Sequence, residues 1–346
     1  MSPSRVAVGK ARGRLSHPGP WTAARLAGGP VYREGVGDII QSICAIAVIM
    51  VVGWIARRSG ALGPHASRAL SDFVYWIGSP ALLFSTISTT DVASVLGAPL
   101  AVAASSGLAT AAVFALIAGP ILGADRGDLV LGAMSSALNN AAYIGIPIAV
   151  YVLGSASHGV PIMVFQLGFF TPMFFVLADL AGSGRRPTAW GVARSVVTNP
   201  MVIAAALGFL CAILRVQVPE VIAIATEMTG QAAPPVVLVA FGASLVGQRF
   251  TIRSRVGHLV ALSSVFKLVV EPAVACGVGW LLGLRGVDLM GVTVMAGLPT
   301  AQNAFVASSR AHAGEEIAQG TVLVTTLASL PMTLLTAWVF HSVIGV

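Results

Sequence analysis

The chain has 346 residues, of which 56% are hydrophobic and only 10% charged, with a formal net charge of +7. A soluble domain carries about 25% charged residues, so this composition excludes an ordinary water-soluble protein. Apolar runs near the roughly 20 residues of a bilayer-spanning helix recur along the chain, and the alternating segments of about ten residues that a β-barrel needs are absent.

Residues 1–35 differ from the rest: they hold Arg5, Lys10, Arg12, Arg14, Arg25 and Arg33, many Gly and Pro, and no apolar core of a signal peptide. Their composition predicts a disordered basic tail. Beyond it the sequence predicts an all-α polytopic membrane protein of ten spans, at about 37–56, 69–88, 94–122, 128–153, 159–181, 199–217, 221–246, 256–283, 287–309 and 317–341. Residues 36–181 would form a first group of five and 199–346 a second, joined by a basic connection over 182–198.

Arg57, Arg58, Arg68, Arg126, Arg185, Arg186, Arg194, Arg249, Arg253, Arg255 and Arg310 fall in one set of alternate connections, and only Arg215 and Arg285 in the other. The excess of Arg predicts that the first set faces the cytoplasm and that both chain ends lie outside. The basic tail conflicts with this arrangement, and a translation start near Val36 would remove the conflict. An odd number of spans per half orients the two halves oppositely, as an inverted repeat.

Two spans carry signs of a broken helix. The fourth contains "LNNAAYIGIP", with Asn139, Asn140, Tyr143 and Pro147. The ninth contains "GLPTAQNAFVAS", with Pro299, Thr300, Gln302 and Asn303. Proline removes a backbone donor and clashes with the preceding turn, and unwound backbone at membrane depth is tolerated only where it is buried in protein or lines a cavity. Paired interrupted helices in matching positions point to a carrier's binding site near the midplane, where half-helix N-termini favour an anion and side-chain amides can donate to a carboxylate.

Ionisable residues inside spans are costly and mark candidate sites. Lys267 and Glu271 stand four apart in the eighth span, directly before Pro272, so they can pair; they read either as an ion- or proton-responsive pair or as a structural salt bridge. Glu227, in the seventh span, reads as a supporting carboxylate or as an interfacial side chain. Gln166, Thr171 and Ser244 either line the pathway or bond neighbouring helices. Cys44, Cys211 and Cys276 are far apart within apolar runs, and no metal-ligand spacing, nucleotide loop or nucleophile elbow occurs. No metal, cofactor, covalent chemistry or nucleic-acid partner is therefore expected.

The chain resembles the auxin efflux carrier family, which includes plant auxin carriers and bacterial proteins assigned to malonate transport. The resemblance rests on "NNAAYIGIP" in the fourth span, similar to the family's S-N-x-x-[FY]-[IL]-G-[IL]-P segment, on "LPTAQNAFVAS" in the ninth and on "PPVVLVAFGASL" in the seventh. It departs in having Asn139 where Ser is common, and Ala141–Ala142 where Thr–Gly often stands. It implies two inverted five-helix repeats, with the fourth and ninth helices crossing at Pro147 and Pro299. It also implies carboxylate transport by an elevator-like shift of the crossed-helix body, in the cell (inner or plasma) membrane. A homodimer is compatible with it. The competing expectations are a sodium-coupled symporter of the bile-acid or antiporter type, disfavoured because the crossing segments contain no carboxylate, and a non-transporting membrane receptor or structural protein.

Overall fold

The computed structural model describes residues 31–90, 95–145, 148–149, 152–183, 188–247 and 254–344. Residues 1–30 of the predicted tail and Pro147 lie outside the described residues.

The described chain is helical, and we number its α-helices in order. They are α1 (Val31–Arg58), α2 (Ala66–Phe73), α3 (Ser79–Ser88), α4 (Ala98–Leu122), α5 (Arg126–Ser135), α6 (Val160–Phe165), α7 (Thr171–Gly182), α8 (Ala189–Thr198), α9 (Pro200–Leu214), α10 (Glu220–Ser244), α11 (Arg255–Val265), α12 (Glu271–Leu281), α13 (Gly286–Ala296), α14 (Asn303–Ala311) and α15 (Glu315–Val339). Among the described residues, five continuous helical stretches are long and apolar enough to cross a membrane: Ala98–Leu122, Ser157–Gly182, Glu220–Ser244, Arg255–Leu281 and Glu315–Ser342. The pair α8 and α9, bent by 63°, makes a sixth if taken as one span.

Three helical segments are not uniform, and for the same reason. A five-residue π-turn precedes a prolyl segment at Val74–Gly78, Gln166–Phe170 and Phe266–Val270, and the next helix then opens with Ser79–Pro80, Thr171–Pro172 and Glu271–Pro272. Proline cannot donate to the carbonyl four residues back and its ring crowds it; widening the turn before it relieves the clash without ending the helix. Each widened turn leaves a polar residue just before the proline, and Ser79, Thr171 and Glu271 are all buried.

Residues 189–198, read from the sequence as part of a connection, form α8. Its first turn is capped by Thr188, whose hydroxyl accepts from the Gly191 N–H at 3.1 Å. The Asn199 carboxamide oxygen then accepts from the N–H groups of Met201 and Val202 at 2.9 and 3.3 Å, starting α9 in a new direction.

The helices pack in two groups. In one, α10 packs against α1, α2 and α3, and α9 packs against α3. Glycine permits the closest of these approaches: a Cβ at Gly242 would collide with the Met50 carbonyl oxygen, and one at Gly53 with that of Val239. In the other group α4 packs on α5, α6 and α12; α12 on α13; α11 and α5 on α15; and α14 on α7 and α15. The core runs between the groups through fully buried Tyr75, Phe170, Phe175, Phe241 and Phe305.

Candidate functional site

Helix α5 ends at Ser135 and α13 at Ala296, and in each case the chain continues without regular helix across the protein interior. The two interruptions meet. Asn139 and Thr300 form an antiparallel bridge, flanked by an Asn140 N–H to Pro299 C=O bond of 2.9 Å and an Ala301 N–H to Leu138 C=O bond of 3.1 Å. The Thr300 N–H donates to the Thr325 hydroxyl on α15 at 3.0 Å, and the Thr300 hydroxyl donates to the Ser135 carbonyl at 2.6 Å. Backbone groups freed by one broken helix are thus satisfied largely by the other, as an interior without water requires.

On one face of the crossing lies a closed ionic cluster. Lys267 and Glu271, 0% and 1% exposed, pair at 2.5 Å. The Lys267 ammonium also donates to Asn139 Oδ1 and to the Ala296 carbonyl, both at 2.6 Å. All three of its N–H donors are thereby used. Ala296 is the last residue of α13, where helix carbonyls carry partial negative charge, so the ammonium neutralises that end as well as Glu271. Asn139 completes the ring by donating from Nδ2 to Glu271 Oε1 at 2.8 Å. A carboxylate absent from both crossing segments in the sequence is therefore brought to the crossing from α12, together with its own counter-ion.

The opposite face is open to a cavity of about 40 Å³ lined by Asn140, Gln302 and Asn303 of the crossing, Gln166 and Thr171 of the widened turn before α7, and Ser79, Leu82 and Pro234 of the α3/α10 group. Asn139 also borders it, although its amide is engaged with Lys267 and Glu271. Asn140 Nδ2 donates to Gln302 Oε1 at 3.2 Å. Of the buried polar atoms without a partner among the described residues, three belong to this lining: Gln302 Nε2, Gln166 Oε1 and Thr171 Oγ1. Asn303 opens α14, so the electropositive N-terminal end of that helix also borders the cavity.

Of the other residues singled out in the sequence, Tyr143 has its backbone in the π-turn Ala141–Gly145 that follows the first break. Glu227 is remote from the crossing cavity. It accepts from Gln231 at 3.0 Å and lines a recess of about 780 Å³ with Ser85, Thr89 and Thr226. Leu82 borders both this recess and the crossing cavity, and Pro234 lies one helical turn beyond Gln231, so the recess leads towards the crossing. Gln166 was legible only as a polar residue in an apolar span; the structure makes it both a bond between helices and a wall of the cavity. Ser79 carried no signal beyond preceding a proline.

A family profile described as membrane transport protein matches residues 38–189 and 186–337. A protein of Rhizobium meliloti (strain 1021) named "Putative malonate transporter" is 28% identical over 298 residues, spanning 82% of this chain and 89% of that protein. Uncharacterised transporters of Methanothermobacter thermautotrophicus and Methanocaldococcus jannaschii are 22% and 20% identical, over 84% and 86% of this chain and 94% and 97% of their own lengths. With the matched stretches covering nearly all of the described helices, the chain belongs to the membrane transport protein family, the auxin efflux carrier family to which its broken spans are similar.

Proposed function

We propose that this membrane transporter is a secondary carrier of a small carboxylate, bound at the crossing of the two broken helices. The observation that carries the reading is Gln302: its buried Nε2 is a hydrogen-bond donor without a partner among the described residues, beside the N-terminal end of α14 in a polar cavity. A carboxylate satisfies such a donor and is favoured by the helix end without needing a full positive charge. Asn140, through its bond to Gln302, and Asn303 hold this wall of the site; Asn139 joins it to the Lys267–Glu271 pair. Pro299 keeps the second broken helix open, and Thr300 and Tyr143 belong to the two crossing segments. The resemblance to the Rhizobium meliloti protein makes malonate the first ligand to test.

The reading extends to ten spans in two inverted repeats. Its support is a packing pattern unchanged when each span is exchanged for the one five later: α1 on α10 matches α9 on α3, α4 on α5 matches α12 on α13, and α5 on α15 matches α14 on α7. The two stretches matched by the family profile are also equal in length. In this reading α1, α3, α9 and α10, closely packed through glycine, form a scaffold in the cell membrane past which the crossed-helix body slides. The recess at Glu227 is the outward vestibule. The present cavity is far below the about 150 Å³ that admits a benzene ring, so loading a three-carbon diacid requires the body to part from the scaffold.

A sodium-coupled mechanism is disfavoured by the Lys267 ammonium, which already occupies the carboxylate, amide oxygen and helix C-terminal carbonyl that a coupling cation would use. Uptake of labelled malonate by proteoliposomes in sodium and in choline media tests both points. Equal, saturable uptake in the two media is expected; uptake only in sodium would overturn the sodium-independent reading, and no uptake or binding of any small carboxylate would overturn the carrier assignment.

A further inference from the structure

We propose that the ligand of the crossing cavity carries a hydrogen-bond donor beside its carboxylate, and that Gln166 is the residue that selects for it. This rests on the carrier reading and narrows its substrate class to hydroxy acids and half-protonated diacids.

The orientation of one amide sets this requirement. Gln166, 2% exposed, donates from Nε2 to the Ala137 carbonyl at 3.0 Å. A backbone carbonyl can only accept, so the nitrogen must lie on that side and Oε1 is turned away from it as an acceptor. That oxygen is buried, has no partner among the described residues, and belongs to a side chain lining the crossing cavity. The orientation is locked at both ends: Ala137 immediately precedes the strand-like crossing, and Gln166 opens the π-turn that Pro172 demands. Thr171, whose buried hydroxyl also lacks a partner among the described residues, stands at the far end of that turn and lines the same cavity.

An ionised carboxylate offers acceptors only. It can meet Gln302 Nε2 and the Thr171 hydroxyl, but against Gln166 Oε1 it sets lone pair against lone pair in a buried site. A ligand with an O–H next to its carboxylate satisfies both walls. An ammonium donor is the poorer match, because a desolvated cation would face one neutral amide oxygen and no carboxylate within the cavity lining. The O–H can come from an alcohol or from a carboxyl that has kept its proton.

The test uses the purified full-length chain and calorimetric titration of paired acids. At neutral pH, lactate is compared with propionate and hydroxymalonate with malonate; malonate is then compared with monomethyl malonate, which has no acid O–H, at neutral and mildly acidic pH. A site that leaves a buried acceptor unpaired discriminates by about tenfold or more. If the alcohol is the donor, the hydroxylated acids bind about tenfold tighter at neutral pH. If the acid proton is, malonate gains about tenfold over its monoester on acidification. Either result supports the proposal, and in either case Gln166→Met brings the ratio towards one, a change that a loss of stability alone would not produce. Equal affinities within every pair in the wild-type protein overturn the proposal while leaving the carrier reading intact, whatever the variant does. Binding of none of these acids overturns both.

Discussion

On one face of the crossing, Lys267, Glu271 and Asn139 close a ring in which every ammonium proton and both ends of the asparagine amide are engaged. On the other, a few ångströms of backbone away, Gln166, Thr171 and Gln302 line a cavity with one polar atom each left without a partner among the described residues. The first face contains full charges and the second none, yet it is at the uncharged face that we propose a ligand binds. Buried charge with complete partners holds structure in place, whereas a buried neutral donor or acceptor without one has a standing free-energy deficit that a solute can remove. In the proposed reading the same two broken helices serve as a clamp on one side and a receptor on the other.

The largest expected effect comes from the clamp. Removing one member of a buried ion pair leaves the other charge uncompensated, at a cost of about 3–5 kcal/mol. Lys267→Met should accordingly lower the melting temperature of the detergent-solubilised protein sharply and reduce its abundance in the membrane. The double variant Lys267→Met with Glu271→Met should recover most of the lost stability, because no uncompensated charge is left. A Lys267→Met protein as stable as wild type would show that the ring is not the clamp described.

Much of this arrangement is legible in the sequence, and the illegible parts have physical reasons. Apolar length announces a bilayer span by itself, and a proline in such a run announces a break, so the interruptions near Asn139 and Pro299 could be read locally. The meeting of Asn139 with Thr300 could not: nothing in either segment specifies which distant backbone will take up its freed N–H and C=O groups. Glu271 was likewise visible as a partner for Lys267 four residues away, but its bond to Asn139 crosses between spans. The widened turns were readable in principle, since Ser79, Thr171 and Glu271 each stand directly before a proline in an apolar run. Helix α8 escaped notice because its amphipathic pattern covers only ten residues next to Arg- and Gly-rich sequence.

A smaller effect is expected at the seam shared by both faces. The Thr325 hydroxyl receives the Thr300 N–H at 3.0 Å and itself donates to the Thr321 carbonyl at 2.7 Å. Thr325→Val keeps the shape and removes the acceptor, leaving a buried backbone N–H unpaired at about 1–3 kcal/mol. The melting temperature should fall by less than in Lys267→Met, and Thr325→Ser should restore it. Equal losses in the valine and serine variants would mean that packing of the methyl group, not the hydrogen bond, holds the seam.

The smallest stability change belongs to the receptor face, and there the sign of the comparison is at stake. Gln302→Leu removes the unpaired Nε2 donor together with the acceptor of the Asn140 bond. One lost neutral hydrogen bond costs about 0.5–1.5 kcal/mol, while deleting a buried donor without a partner is a gain that offsets it. The variant should therefore unfold within about 1 kcal/mol of wild type and reach the membrane in normal amounts, yet lose malonate uptake and the thermal stabilisation that a bound carboxylate confers. Gln302→Glu sharpens the point. It is close in shape, but places an anion where a carboxylate should sit, so uptake should again be lost although the side chain still reaches Asn140. Full uptake by Gln302→Leu would place the ligand elsewhere, most directly in the recess beside Glu227, and would make the open face of the crossing a packing defect instead of a receptor.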